Sequence, residues 1–172
     1  MAEYDYYSQS LLHFEGSNGS TTFTDELGKT WTSNGGVAIN TGSYKFGSAS
    51  AYFDGTDDYI TTPDSDGFNV GSGDFTIDFW IKRNSIPAQP PNIPILGQNS
   101  AADQFMRLVF DASNNVACIL ILTSGSSVTP RSAAITDTTT WHHVAIVRYG
   151  NSLKAYTDGV GGTNINVTGL AF

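Results

Sequence analysis

A single cysteine, Cys118, stands among the 172 residues. No internal disulfide can therefore form, and the core must stabilise the chain unaided. Cys118 sits in Val116-Ala117-Cys118-Ile119-Leu120-Ile121-Leu122, an apolar run of strand length, and reads as a buried structural thiol. No run approaches the roughly 18 apolar residues of a membrane helix, so no membrane insertion is expected. Positive charge is scarce as well: 8 Lys and Arg face 16 Asp and Glu, for a formal net charge of -8. The basic residues are scattered singly and form no stripe able to displace counterions from phosphates, so nucleic acid is excluded as a partner. The same acidity repels anionic membranes. Glutamate is rarer still, at Glu3, Glu15 and Glu26 only, and no strand carries the paired glutamates of a retaining glycosidase. No Gly-x-Ser-x-Gly elbow is present. Gly71-Ser72-Gly73 is too short for a phosphate loop and leads into a strand. These absences predict a protein that is not an enzyme. Met1 to Tyr7 contain neither a basic n-region nor an apolar h-region, which predicts synthesis without signal-directed export.

What is abundant is hydroxyl, amide and aromatic. The chain holds 19 Thr, 18 Ser and 12 Asn against 4 Lys and 3 Glu, so strand and turn formers outnumber good helix formers. Its length suits one domain. Alternation is clearest at Phe75-Thr76-Ile77-Asp78-Phe79-Trp80-Ile81-Lys82, where Phe75, Ile77, Phe79 and Ile81 share a core face. The opposite face carries Trp80, so it is partly covered or presents that ring to something. Further strands are expected at residues 11–14, 51–53, 59–61, 105–110, 116–122, 141–149, 153–157 and 165–168. Between them recur Asp54-Gly55, Asp66-Gly67, Ser113-Asn114-Asn115, Tyr149-Gly150-Asn151-Ser152 and Asp158-Gly159, at the spacing of hairpins in a sandwich. Ile86 to Pro94 holds four of the six prolines and reads as a loop or edge.

Four ordered blocks carry a resemblance. They are Tyr44 to Gly55, Asp57-Asp58-Tyr59-Ile60, Gly73 to Ile81, and Trp141 to Arg148 followed by Leu153 to Gly159. In these the chain resembles the concanavalin A-like lectin/glucanase superfamily, and specifically the laminin G-like modules of phage structural and bacterial surface proteins. The resemblance implies an all-β, two-sheet antiparallel jelly-roll sandwich over residues 10–172, preceded by an arm at 1–9. It also implies that Trp80 and Trp141 lie between the sheets, and that closing strands follow the last ones present here, so that an open edge favours oligomerisation. His142 and His143 alternate on a strand, cannot serve one metal together, and read as structural.

Two kinds of site are candidates. Calcium takes six to eight oxygens, and Asp25 with Asp54, Asp57 and Asp58 would supply carboxylates, as in some relatives. Ordinary solvated turns are the alternative. Aromatic side chains at Tyr4, Tyr6, Tyr7, Trp31, Tyr44 and Tyr59 offer stacking surfaces to a glycan or a protein partner.

The first functional expectation is a virion structural or adhesion protein, a phage tail, fibre or head-decoration subunit. It would assemble with copies of itself or with other virion proteins and touch a host-surface glycan secondarily. The alternative is a carbohydrate-binding lectin module, with or without calcium, at a bacterial surface or outside the cell.

Overall fold

The computed structural model describes residues 6–87, 92–99, 105–121 and 127–171, the side chains of Asn99 and Phe105 left aside. Regular structure among them is antiparallel β, with one 3-10 turn at Asp66–Phe68. The chain divides into two compact units, residues 1–68 and 69–172.

The first unit contains β1 (Phe23–Thr24), β2 (Thr30–Asn34), β3 (Ala38–Asn40), β4 (Ser50–Tyr52) and β5 (Tyr59–Thr61). β1, β2 and β5 form one sheet in that order, and β3 pairs with β4. Phe23, Val37, Ile39 and Ala49 are buried at its centre, with Leu12, Phe14, Trp31, Ala51 and Ile60 packed around them. The expected strand at residues 11–14 is reduced to one bridge, Leu12 to Asp25. Phe14 takes φ 57°, a left-handed conformation that interrupts an extended run.

The second unit is a two-sheet sandwich. Its strands are β6 (Phe75–Ile81), β7 (Ile93–Asn99), β8 (Phe105–Phe110), β9 (Asn115–Ile121), β10 (Ser127–Val128), β11 (Arg131–Ala134), β12 (His142–Tyr149), β13 (Ser152–Thr157), β14 (Val160–Gly161) and β15 (Ile165–Asn166). One sheet runs β7-β8-β9-β10 with β11 also against β9, and the other runs β6-β12-β13-β14 with β15 also against β13. Alternation sends Met106 and Leu108 of β8 and Cys118 and Leu120 of β9 toward Ile146 of β12 and Leu153 and Ala155 of β13. Phe75, Ile77 and Phe79 of β6 pack on the same cluster, as the period-two reading expects. Fully burying side chains such as Ile146, Leu153 and Leu108, all at 0% exposure, contributes about 1.5–3 kcal/mol each.

Cys118 is also fully buried, and burial pushes its thiol up to about 12, which makes it unreactive. β7 is an outer strand of its sheet and contains Pro94 beside a register shift, consistent with proline's confinement to edges. Ala88 to Pro91 and Leu122, parts of the expected loop and strand, lie outside the described residues. Asp158 and Gly159 take φ 51° and 78° between the paired Thr157 and Val160. Two positive φ values are what a two-residue hairpin turn of the primed kind needs.

One of the two tryptophans departs from what the resemblance implies. Trp80 is 37% exposed, on the face of β6 opposite Phe79 and Ile81, and so lies outside the sandwich. Strand alternation dictates this: once the four apolar neighbours point inward, Trp80 must point out. Trp141 stands half-buried, immediately before β12.

Candidate functional site

The acidic turn before β5 gathers three of the expected ligands. Asp54, Asp57 and Asp58 each bring a carboxylate oxygen within 4.8 Å of the others. Asp58 already serves the backbone, because one of its oxygens accepts from Gly36 N–H and the other from Asp54 N–H at 2.8 Å. Asp54 in turn accepts from Thr56 N–H at 2.7 Å, an Asx turn. Gly35, at φ 77°, leaves the room this needs, since a Cβ there would fall 2.7 Å from Asp58 Oδ1. The backbone bonds thus account for the position of Asp58 and Asp54 without further partners.

Asp25 is not in that group. It is 5% exposed and accepts hydrogen bonds from Ser10 Oγ, from Leu27 N–H at 2.8 Å and from Trp31 Nε1 at 3.1 Å. Burial works against its charge, yet the bonds from Ser10, Trp31 and Leu27 outweigh burial and hold its carboxyl below the ordinary value. A metal-ligand candidate and a glycan-contact candidate, Asp25 and Trp31, are therefore bonded to each other. Tyr6 and Tyr7 are highly exposed and meet edge to face at 5.5 Å, while Tyr44 and Tyr59 are about half exposed. Tyr4 lies outside the described residues.

Strand β12 carries the most informative pair. His142 is clasped by two carboxylates, its Nδ1 2.7 Å from Asp158 Oδ2 and its Nε2 2.7 Å from Asp137 Oδ2. Both ring nitrogens donate only in the imidazolium form. Burial opposes that charge, but the bonds to Asp158 and Asp137 prevail and raise the pKa of His142. Asp137 falls well below the carboxylate range because it accepts N–H bonds from Thr139 and Thr140 as well as from His142. Asp158 is lowered chiefly by His142, and its other oxygen accepts from His143 N–H at 2.9 Å. The clasp ties the turn after β11 to the β13–β14 hairpin.

His143 faces the other way. Its ring lies 5.3 Å from that of Trp80, tilted at 39°, and its Nε2 is 3.4 Å from Asp78 Oδ2. Register places His143 opposite Trp80, Ala145 opposite both Asp78 and Tyr156, and Val147 opposite both Thr76 and Lys154. These residues share the outer face of β6, β12 and β13. Ala145 is only 8% exposed, the low point between larger neighbours. Lys154 Nζ stands 5.4 Å from the centre of the Tyr156 ring, and both fill the space a Cβ at Gly161 would take. The result is a sheet face with Ala145 as its low-lying floor, an indole at one end, a carboxylate on one side and an ammonium on the other. It can stack an apolar ring face, accept hydrogen bonds and donate them. Asp78, His143, Lys154 and Tyr156 were not among the sequence candidates. Alternation flagged the outer face, but only register across three strands brings them together.

Comparison with known proteins agrees with this architecture. The family description of the concanavalin A-like lectin/glucanases superfamily matches residues 54–170. No curated protein matches the chain in sequence. Among solved structures, the chain is similar to the binding domain of Paraclostridial Mosquitocidal Protein 1, with TM-score 0.70 and 18% identity over 91% of this chain. The chain spans 40% of that structure's length. It is similar to domain 4 of AbnA, an extracellular arabinanase of Geobacillus stearothermophilus in complex with arabinotriose, with TM-score 0.61 and 18% identity over 96% of this chain and 80% of that one. A third likeness is to an S-layer domain-containing protein of Clostridium thermocellum, with TM-score 0.54 and 24% identity over 91% and 71% of the two chains. At these identities the likeness is one of fold.

Proposed function

The chain belongs to the concanavalin A-like lectin/glucanases superfamily, and from that premise we propose that it is a non-catalytic carbohydrate-binding module acting at a cell surface or outside the cell. The observation that carries the reading is Trp80, 37% exposed on a sheet face beside Asp78 and His143. An exposed indole offers a sugar the flat apolar surface its C–H face prefers, and the polar neighbours offer partners for its hydroxyls. The fold neighbours support this class, since one is a toxin's binding domain and another an arabinanase domain bound to arabinotriose. They lend no support to a virion role, and assembly with copies of the chain or with virion proteins rests on the open-edge argument alone. The sequence reading of a non-enzyme is supported by the family match and by the neighbour that is a binding domain.

A glycan array probed with the full chain tests the proposal. Reproducible binding to a defined sugar, lost in Trp80→Ala at an unchanged melting temperature, is the expected result. Absence of any sugar binding, together with assembly into a lattice or trimer in solution, would overturn it in favour of the virion subunit.

A further inference from the structure

The face is longer than the ring Trp80 can stack. Tyr156 lies two strands away and one side-chain row along, which strand spacing and rise convert to about 12 Å between backbone positions. Lys154 is one row further, about 17 Å from Trp80 by the same geometry. The floor between them is Ala145, 8% exposed beneath its larger neighbours, and the strand pairing fixes this row order. Asp78 stands on the near side of that floor as an acceptor, with His143 against it. Lys154, held over Tyr156, stands on the far side as a donor. A single sugar ring on Trp80 reaches Asp78 but not Lys154.

Resting on the carbohydrate-binding reading, we propose that this face takes an oligosaccharide of two or more units. One ring stacks on Trp80 and donates to Asp78, the chain crosses Ala145, and a later ring accepts from Lys154. Trp80 is a common anchor for ligands of any length, whereas Lys154 acts only on longer ones. Length preference is therefore built into the face. A monosaccharide lectin would instead concentrate its polar groups around one ring.

Calorimetric titration of the full chain with one- to four-unit series of arabinan, xylan, β-glucan and fructan sugars tests this. For the series that binds, affinity should rise about tenfold or more from one unit to three, a gain of about 1.4 kcal/mol. Lys154→Ala should erase that gain and leave the affinity for one unit unchanged. The melting temperature of that variant is checked alongside. Equal affinity for one and three units would overturn the length inference while leaving carbohydrate binding intact. Binding insensitive to Trp80→Ala would move the site off this face. No binding in any series would instead remove the functional reading beneath the inference.

Discussion

His142 and His143 are neighbours in sequence and opposites in role. The first has both ring nitrogens on carboxylates, its side chain 14% exposed. The second has one longer contact to Asp78, its side chain 32% exposed against the Trp80 ring. A strand forces the difference, because adjacent residues must point to opposite sides. One side of β12 meets the core and the turns that close the sandwich, and the other carries His143 against the Trp80 ring. The same imidazole thus holds two loops together in one position and lies against the Trp80 ring in the next. Residue type alone assigns neither role; the carboxylates waiting on each side do.

The largest effect that would separate the two is on stability. His142→Ala removes two hydrogen bonds to carboxylates that remain partly solvated, and should cost about 1–2 kcal/mol, a fall of several degrees in melting temperature read by calorimetry. The pH profile sharpens the point. The pKa of His142 is raised above its ordinary 6.5, so its contribution is complete below that pH and is lost as pH rises through the higher folded value. Asp137 and Asp158 are lowered from 3.8, so theirs is complete above that pH and is lost as pH falls through their folded values. Stability from the clasp should therefore plateau between about pH 4 and 6.5, and His142→Ala should flatten the decline above it. An unchanged alkaline limb would mean that the clasp contributes nothing measurable. His143→Ala should do the reverse, moving stability by no more than about 0.5 kcal/mol while weakening sugar binding a few-fold in titration.

The acidic turn supplies a third case, with carboxylates bound to backbone and no imidazole. Because Asp58 already accepts two N–H bonds, adding calcium or chelator should leave the melting midpoint within error. A clear rise with calcium would reassign Asp54, Asp57 and Asp58 as ligands.

The second unit was more legible in sequence than the first, for physical reasons. Residues 105–110 and the β6 alternation are long apolar patterns that hold their own register, and Asp158-Gly159 is a turn written in two residues. β1 to β3 are short, and β2 reads Thr-Trp-Thr-Ser-Asn, with no apolar period to follow. The site was less legible than the fold. Asp25 owes its position to Ser10 and Leu27, and His142 to carboxylates on two separate turns, which pattern reading within one strand does not reach. Trp80 was visible from alternation, yet the family resemblance drew it inward.

The solitary thiol at Cys118 has a practical side. Fully buried and pushed up to about 12, it stays silent toward thiol-directed dyes at neutral pH. A cysteine introduced at Thr76, exposed on the outer face of β6, would then be the single labelled position in an otherwise untouched chain. Its fluorescence would report a passing sugar directly.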